Sequence, residues 1–88
     1  MNDKILKVVF RKTKNEIIAL FPDHGFKSNY KVIGYVRECG HIEVDYHDII
    51  QISKPATAID YYSLLREIKN VYYDYEVVIR KKASVIYR

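Results

Sequence analysis

Tryptophan is absent from this 88-residue chain, cysteine and methionine occur once each, and there are only two prolines and three glycines. The lone cysteine, Cys39, excludes an internal disulfide, so packing has to carry stability, and a reducing cytoplasm is the expected compartment. The scattered glycines exclude a glycine-rich phosphate loop, and there is no C-x-x-C pair or H-E-x-x-H string. No apolar run approaches the length of about 20 residues that spans a bilayer. The opening "MNDKILKVVF" does not read as a signal peptide: its apolar run is short, is broken by Lys7, and leads into "RKTK" instead of small residues.

The residues that are present are ordinary in amount and unusual in arrangement. Apolar residues make up 49% of the chain and charged residues 30%, which suits one soluble domain spanning residues 1–88. The net charge of +4 is unevenly spread. Residues 1–37 hold eight Lys/Arg against three Asp/Glu, residues 38–76 hold three against eight, and the last twelve hold four bases and no acid. A basic total suggests a nucleic-acid partner. The acidic middle opposes that inference, because it repels a phosphate backbone unless the two signs lie on opposite sides of the fold.

Alternation and turn chemistry predict an α+β fold, an antiparallel sheet of four to five strands in the order β-β-β-β-α-β with one helix packed on one face. Strands are expected over "KILKVVFR" (4–11), "EIIALFP" (16–22, ended by Pro22), "YKVIGYVR" (30–37), "HIEVDY" (41–46) continuing into "IIQIS" (49–53), and "YYDYEVVIRK" (72–81). "PDHG" (22–25) reads as a turn. Thr57 and Asp60 form a T-x-x-D variant of the capping box, with Ala58, Tyr61, Tyr62, Leu65 and Ile68 on one helical stripe. A sheet covered on one side leaves its other side for water or a partner.

The segment "YVRECGHIEVDYHD" (35–48) gathers two of the three histidines, the cysteine and four acids. As an extended strand it projects Arg37, His41, Glu43, Asp45 and His47 from one face, a set suited to directed hydrogen bonds with a host protein or a small polar ligand. As a metal site it is poorly spaced, since alternate strand residues lie roughly 7 Å apart, and Cys39 beside His41 lacks the helix terminus and oxyanion loop of a nucleophilic site. No cofactor, metal or catalytic residue is therefore expected, and the chain reads as a non-enzymatic binding protein. Nine tyrosines suit protein interfaces, homo-oligomers included. The alternative is nucleic-acid binding through Lys7, Arg11, Arg80, Lys81 and Lys82, with Tyr72, Tyr73, Tyr75 and Tyr87 nearby in sequence.

The string also resembles a family of short proteins from bacteriophages and mobile elements of gut bacteria. The matching parts are "VVFRK" followed by "EIIALFP", the Tyr35…His41…Asp45-Tyr46 spacing, "KPATAIDYYSLLREI", and the final "YYDYEVVIR". The likeness covers most of the chain, with 22–34 the most variable stretch. The family's middle motif runs approximately Y-x-H-x-G-Q-H-x-x-x-D-Y, and Arg37, Cys39 and Gly40 depart from it here. The resemblance implies no particular reaction. It implies a context: a phage or mobile-element accessory protein in a bacterial host cytoplasm, modulating or countering host processes.

Overall fold

The computed structural model describes residues 4–14 and 16–87. The elements are β1 (Ile5–Lys12), β2 (Ile17–Gly25), β3 (Val32–Val36), β4 (Gly40–Val44), α1 (Tyr46–Ile52), β5 (Lys54–Pro55), α2 (Ala58–Val71) and β6 (Glu76–Arg80). Strands β1 to β4 form an antiparallel meander in spatial order β4-β3-β2-β1. The far side of β1 is shared. Its first half pairs in parallel with β6, and its end pairs antiparallel with the two residues of β5. The α+β class, the antiparallel sheet and the helix on one face are as the sequence implies.

The sheet buries both faces, and this differs from the single covered face expected. On one side Leu6, Val8 and Phe10 of β1, Ala19 and Phe21 of β2 and Tyr35 of β3 pack under Leu64 and Ile68 of α2. The opposite pleat carries Val9, Ile18, Leu20, Val32 and Val36, and it is covered by Tyr46, Ile49 and Ile50 of α1 with Ala83 and Val85 of the C-terminal segment. Strict alternation along β1 and β2 feeds both layers, which is why their burial is nearly continuous. Fully burying each such aliphatic side chain contributes about 1.5–3 kcal/mol.

Helix α1 occupies the segment expected to continue as strand. Asp45 turns the chain by accepting hydrogen bonds from the backbone N–H groups of His47 (3.0 Å) and Asp48 (3.2 Å), an N-cap that outweighs the alternation ending at Val44. Tyr46, Ile49 and Ile50 then fall at helical spacing on the buried side. At the other end the buried Arg11 donates to the carbonyls of Ile50 (3.1 Å) and Ser53 (2.7 Å) and to Ser53 Oγ (2.9 Å), so a cation closes the C-terminus where the helix dipole favours one.

Helix α2 begins at the expected capping box: Asp60 accepts from the Thr57 backbone, and Thr57 Oγ1 accepts from the Asp60 backbone. Its stripe is rotated from the expected one. Leu64 is buried, whereas Tyr62 is 61% exposed. Pro22 does not end β2. The strand continues to Gly25 across a register shift against β3, and the Pro22 carbonyl and Gly25 N–H both pair with Ile86 of the C-terminal segment. Only glycine fits at position 25, because a Cβ there would stand 2.6 Å from the Ile86 carbonyl oxygen. The turn between β3 and β4 needs Gly40 for a different reason, a φ of +75°.

Candidate nucleic-acid interface

The five residues expected to project together from the 37–48 segment divide between the two faces. His41 and Glu43 of β4 lie opposite Tyr35 and Ile33 of β3, on the α2 side. Arg37 lies in the turn before β4, its guanidinium 3.9 Å from Glu67 of α2. Asp45 is the α1 cap, and His47 is on α1 itself with its ring edge-on to Tyr46. A single strand face carrying all five is therefore corrected: the strand ends at Val44, and the chain beyond it crosses to the other side of the sheet.

His41 belongs to an aromatic group. Its Nε2 is 2.5 Å from the Tyr72 hydroxyl, and its ring meets Tyr35 (5.0 Å) and Tyr72 (5.8 Å) nearly at right angles. Tyr35 donates to Glu67 Oε1 at 3.0 Å. Burial first, then the Glu67 hydrogen bond, raises the Tyr35 phenol above its ordinary 10.0. Tyr72 is also raised, by burial and then by Tyr75. Tyr35 donating to Glu67 ties β3 to α2, and the hydrogen bond between His41 and Tyr72 ties β4 to the end of α2. Cys39 is exposed in the preceding turn. Among the described residues no group of three or more His, Cys, Asp or Glu side chains could hold a metal ion, and no helix is long and apolar enough to cross a membrane.

The opposite edge of the sheet has another character. Three grooves lie at or beside it, one on the α2 side of the sheet and two on the α1 side. Lys12, Lys14 and Lys54 line one of about 480 Å³ beside the end of α1. Arg80 and Lys81 line a second, of about 490 Å³, with Pro55, Ala56, Tyr61 and Ile79. Lys7, Arg80 and Lys82 line a third, of about 360 Å³, with Asp23. The first two meet at the Lys54–Pro55 strand, and the last two share Arg80.

Lys7 and Lys12 have carboxylate partners in Asp23 (3.8 Å) and Asp60 (3.3 Å). Lys14, Lys54, Arg80, Lys81 and Lys82 form no ion pair among the described residues. Lys12 and Lys54 also sit directly opposite each other across the β1–β5 ladder. Like charges in that position are destabilising, on the order of 0.2–1 kcal/mol. Four of the middle acids, Glu38, Glu43, Asp45 and Asp48, lie in or beside β4, the strand at the far edge, whereas Asp60 pairs with Lys12, and Asp74 and Glu76 lie beside and in β6.

Of the cations expected to bind nucleic acid, Lys7, Arg80, Lys81 and Lys82 are brought together, and Arg11 is not. It is buried beneath α1 as that helix's C-terminal cap, so its assignment to an exposed basic surface is corrected. Lys12, Lys14 and Lys54 join the set instead. "RKTK" signals the first two, but only strand pairing brings Lys54 beside them. The neighbouring tyrosines also change. Tyr72 and Tyr75 pack against the α2-side core and Tyr87 lies edge-on to Tyr30, while Tyr61 lines the central groove.

No protein-family model matches this chain, and comparison with curated proteins and with solved structures likewise found no match.

Proposed function

We propose that this chain is a non-enzymatic binding protein that holds the phosphate backbone of a nucleic acid along the edge formed by β1, β5 and β6. One observation carries the reading: Lys14, Lys54, Arg80, Lys81 and Lys82, which form no ion pair among the described residues, line neighbouring grooves on the edge opposite β4. Repulsion among neighbouring cations opposes that arrangement, and a polyanion offsets it. Four of the middle acids, Glu38, Glu43, Asp45 and Asp48, lie at the far edge, which lessens the repulsion that the acidic middle raises, while Glu76 stays on β6 and Asp60 beside Lys12. The resemblance to short phage and mobile-element proteins supports an accessory role in a bacterial host cytoplasm, acting on host processes.

The test is anisotropy of a labelled oligonucleotide across a salt series. Each phosphate neutralised steepens the fall of log K with log salt by about 0.7–0.9, so engagement of the five cations gives a slope of about −3.5 to −4.5. A flat dependence overturns the proposal.

A second reading, contact with a host protein, is favoured by the outer side of α2 and the turn after it, where Ile59, Tyr62 and Tyr73 are 93%, 61% and 84% exposed. Tyrosine and isoleucine exposed to that degree suit a protein interface. Binding there is far less sensitive to salt. A small polar ligand at the β4 edge would depend on Glu43 and His41.

A further inference from the structure

We infer that the basic edge takes single strands, with one unstacked base in the central groove and the flanking phosphates on Arg80, Lys81 and Lys54. This rests on the proposed nucleic-acid reading and adds to it the form of the strand. The central groove differs from its neighbours in its lining. Its volume of about 490 Å³ lies inside the roughly 300–1,000 Å³ of small-ligand clefts. Phe10 and Tyr61 form its aromatic wall, stacked with centroids 4.4 Å apart and planes 9° from parallel. Ala56 and Ile79 complete the apolar lining, and Ile79 is 40% exposed although it lies next to Arg80 on an edge strand.

The grooves on either side contain no aromatic residue and are rimmed by lysines. Around the edge the lining is therefore apolar with a charged rim on the α2 side and charged on the α1 side, the two joined at Lys54–Pro55 and at Arg80. A duplex keeps its bases paired and stacked, so it can use the charged parts and leaves the apolar part empty. A single strand can use all three, because its bases are free to leave the stack while its backbone stays on the cations. Every base presents a π-face and an apolar edge, so the groove is sequence-tolerant. The carboxylate nearest in sequence to the groove, Asp60, is engaged by Thr57 and Lys12 and does not line it.

The experiment compares three probes at one salt concentration: a labelled oligothymidylate of about 12 nucleotides, an abasic strand of the same length, and a hairpin duplex. The thymidylate is expected to bind about tenfold more tightly than the other two. Ala58→Leu, at an exposed position on the groove's rim, fills the space without touching a cation. It should abolish the preference while leaving the salt slope unchanged. Tyr61→Leu keeps apolar volume, removes the ring, and should do the same; thermal melts confirm that it folds. Equal binding of all three probes with a steep salt slope overturns the single-strand inference and leaves the basic edge standing. No binding of any probe overturns both.

Discussion

The two edges of the sheet carry similar numbers of ionisable groups and use them differently. Around β4 several groups are committed within the fold: Arg37 and Tyr35 meet Glu67, His41 meets Tyr72, and Asp45 caps α1, while Glu38, Glu43 and Asp48 form no ion pair among the described residues. At the β5–β6 edge Lys14, Lys54, Arg80, Lys81 and Lys82 form no ion pair among the described residues. The segment with the richest chemistry in sequence thus uses His41, Arg37 and Asp45 to hold the structure together. The plainer runs "RKTK" and "RKK" are the ones left available. Residue type marks what a side chain is able to do, and internal pairing shows whether it is already engaged.

Reversing charge at one edge and then at the other tests that contrast most severely. Arg80→Glu, Lys81→Glu and Lys82→Glu together should weaken oligonucleotide binding by roughly a hundredfold or more, whereas Glu43→Lys, at the far edge, should leave it unchanged or slightly stronger. Equal effects from the two edges would erase the distinction. Arg11 sharpens it from within the basic set. Arg11→Ala should cost about 2 kcal/mol in urea unfolding, since it strips the carbonyls at the end of α1 of their donor, yet should leave the salt slope of binding unaltered. A reduced slope with intact stability would mean that Arg11 is a surface cation after all.

Smaller effects are expected on the acidic side. Asp45→Ala should lower stability by about 1 kcal/mol through loss of the α1 cap, measured by chemical denaturation, with no change in affinity. The smallest concerns pH. Asp60 is held below the ordinary 3.8 by the Thr57 backbone and hydroxyl and then by Lys12, and Asp74 is held below it by Lys4. A carboxyl depressed in the folded state contributes stability that is present above its unfolded value and lost as pH falls through the folded one. Melts taken from about pH 6 down to about pH 2 should therefore show a decline beginning near the ordinary carboxylate range. Asp60→Asn should make that decline shallower. Lys4 has the opposite sign, raised above 10.5 by its hydrogen bond to Asp74, so its contribution disappears only as pH rises through the folded value.

Much of this architecture is legible in the chain. Alternation in "KILKVVFR" and "EIIALFP", the period-two run "HIEVDY" as far as Val44, and the Thr57/Asp60 box with its apolar stripe identify strands and the main helix, because pleat and helix periods act locally. The continuation "IIQIS" misleads. Ile49 and Ile50 satisfy either period, and the deciding signal is Asp45 with Asp48 three residues on, which reads as an N-cap. The second buried face is likewise hidden. Val9, Leu20 and Val32 look like the polar-side interruptions of an ordinary sheet until α1 and Val85 cover them.

By itself the sequence determined most strands, the capped helix α2 and the division of charge into a basic, an acidic and a short basic block, since these depend on composition and on neighbours a few residues apart. Only the tertiary structure decided which charges are spent. Lys12 and Lys54 are 42 positions apart in the chain and opposite each other in the sheet, and Arg11 sits between Lys7 and Lys12 in sequence yet is buried beneath a helix that begins at the other edge. Electrostatic and packing energies depend on distance in space. Strand pairing alone sets that distance for residues so far apart along the chain.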